Sequence, residues 1–434
     1  MQRLEFTQPD FEQKLANFCA VNETPRSIVD AVTGVLNAVR ADGDAAVCKF
    51  TERFDGVQLT PQQLRVPPAE IRAAADALDD ETRAAIEGAI ANVREFHEKG
   101  LPQDWSGENR HGATVGERFY PIDRVGLYIP GGQVPLASTI VMTATLAKLA
   151  GCPSIAACTP PGKDGKINPG LLAAFALCGV EEVYCIGGAQ AVAAMAYGTD
   201  TIPAVCKIFG PGNAYVNEAK RQVLGTVGID ILAGPSEVMI IADRSVNPAY
   251  AAADLLAQAE HGSGREKLFL TVPDELTLDR ILDEVARQEP TLKRLERIRP
   301  VFDEGFLAII TLDLASAVQV ANYVAPEHLE LQVKPESLDL LTREITTAGA
   351  IFCGHETPTA LGDFAAGPNH TLPTLRSGRF FSGLQITDFL RRSSITRYDR
   401  KSLEQAQPIV RAFARLEQLD AHGESLEIRL RDDT

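Results

Sequence analysis

The strongest constraint in this chain is a repeated texture: short β-branched runs, each closed by a Gly/Pro turn and followed by an Ala-rich helical stretch. Beyond Tyr120 it reads VGLYI then PGG, PSIAACT then PPG, EEVYCI then GGAQ, and VCKIF then GPGN. Strands that alternate with helices imply a parallel sheet covered on both faces, so its strands are apolar throughout. After Gly234 a second series begins. Its strands are SEVMIIAD, KLFLTV, FLAIITL, HLELQV and AGAIFCG, separated by helical segments such as Asn247–Gln258 and Glu336–Thr347.

The flanks differ. From Pro25 to about Gly100, apolar residues return every three or four positions in SIVDAVTGVLNAVR and ETRAAIEGAIANVREF, which predicts helices. Near Leu375 the chain becomes Ser/Arg/Phe-rich, then ends in a charged helical tail, KSLEQAQPIVRAFARLEQLDAH. The expected class is α/β: two Rossmann-like domains with parallel-sheet cores, the first preceded by a helical region, with a short N-terminal segment and a C-terminal helical tail. The boundaries expected are an N-terminal segment 1–24, a discontinuous larger domain 25–126 plus 237–377, a smaller unit 127–236, and a tail 378–434. A length of 434 residues fits two or three domains at roughly 150 residues each.

The balance of 42 Lys+Arg against 58 Asp+Glu gives −16, which argues against a nucleic-acid or anionic-membrane surface and leaves a cationic substrate open. The first thirty residues hold no uninterrupted apolar run, so a cytoplasmic protein is expected. Eight cysteines contain no Cys-x-x-Cys pair, which removes the usual zinc-ribbon and thioredoxin readings and leaves buried, reduced thiols as the default. Cys152 has no basic neighbour in AGCPS and reads as a small buried residue, not a nucleophile.

Three turns join strand to helix through paired glycines: Gly131-Gly132, Gly187-Gly188 and Gly210-Pro211-Gly212. At the carboxyl ends of parallel strands, such turns expose helix N–H groups that hold anions. None is a G-x-G-x-x-G fingerprint, and glycine also serves tight turns merely by tolerating φ > 0. Asn213 suits an N-cap for AYVNEAKRQV.

Histidines cluster with carboxylates and amides. Gln258 and His261, three apart near a helix end, can project toward one ion, although His261 also suits a helix C-terminus. Imidazole, carboxylate and amide oxygen suit a borderline cation such as zinc with one position left for substrate. Glu327 beside His328 offers two proton-transfer groups of different strength. Asp363 and His370 flank the turn-rich AAGPN, and Glu417 precedes His422 by five residues. His97, His111 and His355 lie among charged or turn residues and read as solvated.

In order along the chain, VGLYIPGG, GGAQA, KIFGPGNAYV, GPSEV, LLAQAEHG, APEHLEL, GDFAAGPNHTLPT and the late Ala-His422 together resemble the histidinol dehydrogenase family, from about residue 25 to His422. The resemblance implies an NAD-dependent, zinc-containing intertwined homodimer oxidising L-histidinol through L-histidinaldehyde to L-histidine, with two NAD per turnover. It implies zinc held by Gln258, His261, Asp363 and His422. Glu327 and His328 are then the catalytic pair, and Ser236, His370 and Glu417 contact substrate with His328 and the zinc ligands. Tyr128, Gln190 and Asn213 line the NAD site. The tail crosses to the partner, so that His422, Glu417 and His370 serve the other protomer's site. Relatives that oxidise other small alcohols, such as sulfopropanediol, are the alternative. Gln133-Val134-Pro135 departs from the small or basic residues expected after Gly132.

Overall fold

The structure, a computed structural model, describes residues 1–431 apart from 21–23, 132–134 and 262. Gly132, Gln133 and Val134, and with them part of the first glycine turn, lie outside the described residues, as does Gly262.

The first strand series forms a parallel five-stranded sheet of β4 (Arg124–Tyr128), β5 (Ser154–Thr159), β6 (Glu182–Cys185), β7 (Lys207–Phe209) and β8 (Gly228–Ile229), in the order β6-β5-β4-β7-β8. The second forms a parallel sheet of β9 (Glu237–Ala242), β10 (Lys267–Val272), β11 (Phe306–Ile310), β12 (His328–Gln332) and β13 (Ala350–Cys353). Its order is β11-β10-β9-β12-β13, with β1 (Gln2–Glu5) added beside β11. The two sheets share one winding: the chain starts centrally, steps outward twice, then crosses over. Switch points therefore fall between β4 and β7 and between β9 and β12. Both sheets are buried on both faces, and β9 is buried at every residue.

Helix character follows from the layers. Ala137–Leu149 is apolar nearly all round because it is enclosed, whereas Glu275–Gln288 buries one stripe. Asn168, Asn213, Asn247 and Asp274 cap their helices by accepting N–H bonds.

Three features of the packing bear on the division into units. First, helices 26–98 pack on the first sheet: Val32, Val35, Leu36 and Val39 share a core with Val192 and Val216, and Ile71 and Val93 share one with Ile140 and Phe175. Apolar burial thus joins this region to the 127–236 unit and not to 237–377. Second, the N-terminal segment is part of the second unit, with Phe11 and Leu15 in its core. Third, a separate antiparallel sheet of β2 (Trp105–Glu108), β3 (Thr114–Pro121) and β14 (Leu390–Arg397) ties the tail to the chain between the units. Beyond it, helices Arg400–Leu416 and Asp420–Leu430 pack on each other and leave Ile409, Phe413, Leu416 and Leu419 exposed. Among the described residues, no helix is long and apolar enough to cross a membrane.

Candidate active site

The carboxyl–imidazole pair sits at the amino end of β12. The helix Leu314–Val324 stops at Ala325, which takes φ +47°, and Pro326 then directs the chain into Glu327 and His328. A left-handed non-glycine residue costs of order 1–3 kcal/mol, so the turn delivering the pair is held by its surroundings. Glu327 and His328 are 5% and 3% exposed. The Glu237 N–H donates to Glu327 Oε2 at 2.8 Å, and His328 Nδ1 lies 3.0 Å from the Glu237 carbonyl oxygen. A carbonyl only accepts, so Nδ1 carries the proton and Nε2 keeps its lone pair. Nε2 faces Asp363 Oδ1 at 3.9 Å.

Burial separates the two groups electrostatically. It drives the Glu327 carboxyl well above its usual range, with the charges of Glu237 and Asp363 adding to the rise against hydrogen bonds from the Glu237 N–H and the Ser236 hydroxyl. It depresses the His328 imidazole to about 4, so His328 is neutral at neutral pH and able to accept a proton.

Around His328 gather Asp363, on the helix Thr359–Phe364, with His370 and His261. Asp363 Oδ1 is 3.8 Å from His370 Nδ1. Burial pushes the Asp363 carboxyl up, but the His370 hydrogen bond and the charges of His328, His370 and His261 outweigh it and hold the group low. Gln258 ends the helix Pro248–Ala259, 3% exposed, with its Nε2 unpartnered among the described residues. His261 Nδ1 bonds the Gln258 carbonyl at 3.2 Å, the C-terminal position expected, which leaves its Nε2 free for a ligand. Amide oxygen, imidazole and carboxylate are donor types that fit a cation of zinc's type.

Glu417 and His422 are exposed on the tail, whereas Gln258 and His328 are buried. Among the described residues, no cluster of three or more His, Cys, Asp or Glu could hold a metal. Of the ligands expected from the sequence, His261 lies near Asp363, Gln258 is buried at the end of the helix that leads to His261, and His422 is exposed on the tail.

On the first sheet, the glycine turns after β6 and β7 lie at the carboxyl ends of their strands. Tyr128 closes β4; its hydroxyl oxygen accepts the Gly188 N–H at 3.1 Å, and burial pushes the phenol up to about 12, so it stays protonated. Gln190 is fully buried with both amide atoms unpartnered among the described residues, the state of a group awaiting a polar ligand. Asn213 spends its carbonyl oxygen capping its helix through Tyr215 and Val216, leaving only its NH₂ for a ligand.

His97 is not solvated: it is 5% exposed, its Nε2 is unpartnered among the described residues, and burial lowers its pKa. His111 and His355 are half-buried. The thiols are free, but Cys206 and Cys353 are exposed, against the expectation of burial; Cys152 is buried, its thiol pushed up to about 11. Glu237 was missed. An acid opening the otherwise apolar strand Val238–Ala242 was the available signal.

Two doubly wound sheets, one offering glycine turns at its carboxyl edge and the other a buried acid–imidazole pair at its amino edge, define a two-unit α/β enzyme of the dehydrogenase kind. The chain belongs to the histidinol dehydrogenase family, whose model, "Histidinol dehydrogenase", matches residues 20–430, and it is accordingly an oxidoreductase. Histidinol dehydrogenase of Rhizobium meliloti (strain 1021) is 46% identical over 429 residues, covering 99% of this chain and 98% of the relative. That of Ruegeria pomeroyi (strain ATCC 700808 / DSM 15171 / DSS-3) is 46% identical over 434 residues, with the same coverage. The crystal structure of histidinol dehydrogenase from Elizabethkingia anophelis superposes with a TM-score of 0.93 at 35% identity, covering 99% of this chain and 98% of that one.

Proposed function

We propose that the protein oxidises L-histidinol through L-histidinaldehyde to L-histidine, the closing reactions of histidine biosynthesis, in the cytoplasm, with two NAD per turnover and one zinc per subunit. The observation that carries the reading is a neutral His328, oriented by the Glu237 carbonyl, beside a buried Glu327, with Asp363 near both and His261 and His370 near His328.

His328 Nε2 takes the hydroxyl proton of histidinol in the first oxidation, its ring held by the Glu237 carbonyl. Glu327 then removes a proton from the water that adds to the aldehyde, and His328 takes the hydroxyl proton of the resulting hydrate in the second oxidation. Ser236, His370 and Glu417 orient the substrate. Tyr128, Gln190 and Asn213 would hold NAD, which would supply the hydride acceptor for each oxidation. Gln258, His261, Asp363 and His422 would hold zinc, which would supply an anchor for the substrate's imidazole and amine.

The fourth ligand comes from a second copy in this reading. Two observations support it: His422 and Glu417 are exposed, unlike buried Gln258, and the tail that bears them leaves the apolar Ile409, Phe413, Leu416 and Leu419 exposed. The proposed assembly is a homodimer with shared sites.

The test is NADH yield in a zinc-replete assay. Two NADH per histidinol consumed are expected; one NADH, or none, overturns the reading. Glu327→Gln should lower kcat by about 10²–10⁴-fold with zinc retained.

A further inference from the structure

Both members of the catalytic pair rest on the main chain of one residue whose side chain the proposed chemistry does not use. Glu237 gives its N–H to Glu327 Oε2 and its carbonyl to His328 Nδ1. Where that peptide sits decides the spacing of the acid and the base. The carboxyl of the same residue is 3% exposed, at the head of a strand that is otherwise Val-Met-Ile-Ile-Ala. Its Oε1 accepts the Leu375 N–H at 3.3 Å, and its Oε2 is buried without a partner among the described residues. The charged and titratable groups facing it are Lys267 on β10, Cys19 and Glu327, and burial pushes it up to about 7 against the Lys267 charge. A buried, half-satisfied carboxyl costs stability, so an apolar residue would serve better if filling space were its role.

The other end of its bond is unusual as well. Leu375 and Arg376 take φ +54° and +62°, two consecutive non-glycine residues in the left-handed region, at roughly 1–3 kcal/mol each. This turn follows His370 by five residues and leads toward the tail. The Gly234 N–H donates to the Thr374 hydroxyl beside it, so β9's approach and the turn are joined at two points.

We propose that Glu237 is a positioning residue: its carboxyl, by holding the Leu375 N–H, keeps the main-chain seat of Glu327 and His328 in register with the segment that carries His370. The inference rests on the alcohol-oxidising site proposed above and deepens it.

The full-length, zinc-replete protein is assayed as Glu237→Ala and Glu237→Gln. Misplacement by an ångström costs about 10²-fold in rate. Glu237→Ala should therefore lose about that factor in kcat, with KM for histidinol and zinc content unchanged within twofold. Glu237→Gln keeps an amide oxygen for the Leu375 N–H and should recover kcat to within about fivefold of the parent. A purely structural acid would lower the melting midpoint while leaving kcat per folded site unchanged, and Gln would then do no better than Ala; either result overturns the proposal. Where Glu237→Ala does not fold, Glu237→Asp serves, its carboxyl one methylene short: unchanged kcat there overturns the proposal, and a tenfold loss at constant KM upholds it. Glu327→Gln runs alongside. Full turnover in that variant overturns the reading of the site itself, whereas a silent Glu237→Ala beside a disabled Glu327→Gln overturns only the positioning role.

Discussion

Lys220 offers the most exacting test of how the glycine turn after β7 is built. It is fully buried on the helix Ala214–Val223, and its Nζ donates to the Gly210 carbonyl at 2.9 Å, to the Ile231 carbonyl at 2.8 Å and to Asp230. Asp230 Oδ2 in turn accepts the Gly210 N–H at 2.7 Å. One ion pair thus braces the turn after β7 and the start of the link to β9. Gly210 itself sits at φ +114°, with a Cβ there only 2.1 Å from the Tyr128 carbonyl, so the turn has no slack. Lys220→Met keeps the volume and removes the donor, leaving a carboxylate whose side chain is 1% exposed. Breaking a buried pair from one side costs about 3–5 kcal/mol, or a midpoint fall of roughly 10 °C for a cooperative unit of about 200 residues. Burial already raises the Asp230 pKa while Lys220 pulls it down. Without Lys220 the folded-state pKa rises further above the unfolded value. The folded protein then holds the proton more tightly, so stability is greatest at acid pH and is lost as pH rises through the folded pKa. Urea unfolding followed by far-ultraviolet circular dichroism should show a larger deficit at pH 8 than at pH 5. Lys220→Met/Asp230→Asn, which removes both charges and retains an acceptor for Gly210, should recover most of the loss and abolish its pH dependence. A single-variant loss below about 1 kcal/mol, an equal loss at both pH values, or a double variant no better than the single would refute the account.

His261→Ala, Asp363→Ala and His422→Ala should each reduce zinc, measured by atomic absorption, to less than a tenth of the parent; normal zinc in any of them removes that residue from the ligand set. Mixing His422→Ala with His261→Ala subunits should restore one active site per mixed dimer, and no regain of turnover counts against shared sites. His97 is buried and its pKa lies below the unfolded value, so the unfolded chain takes up the proton first as pH falls. That contribution is intact above about 6.5 and is lost on acidification. His97→Leu should flatten the fall in unfolding free energy between pH 6.5 and 4.5, and an unchanged slope would contradict the burial argument.

Apart from β1 and the two-residue β8, neither of them a buried apolar run, the parallel strands were legible to within two or three residues because strands buried on both faces are continuous apolar runs, and KLFLTV coincides with β10. The polar sheet left no such trace. WSGE of β2 and LRRSSITR of β14 are half-exposed or exposed, and residues 390–397 find their partners at 114–121, a pairing that no local period announces. Amphipathic periodicity showed that helices 26–98 bury a stripe but not against which sheet. In the site, Glu327, His328, Asp363 and His261 stood out through their motifs. Glu237 did not, because its part depends on a contact with Leu375 made 138 residues away.

The placement of the two half-sites has a simple cause in the path of the chain. Ligands of doubly wound sheets usually gather at the carboxyl ends of strands, which holds for the glycine turns of the first sheet but not for Glu327 and His328. β8 ends at Ile229 on the carboxyl edge of the first sheet, and β9 begins at Glu237 on the amino edge of the second. The eight residue steps between them reach at most about 28 Å when fully extended. Asp230 and Ile231 are fastened to Lys220, and Ala233 to Asn217, so less than that length is free. A short, pinned connection between parallel sheets must join a carboxyl edge to an amino edge. It therefore turns the amino ends of β9 and β12 toward the unit that carries the glycine turns. Asn369, which donates to the Met142 carbonyl at 2.8 Å, fastens the His370 segment across the same boundary. The amino edge of the second sheet is the edge the linker can bring within reach of the first, and Glu237, the residue at which that linker ends, is the one whose main chain bonds both Glu327 and His328.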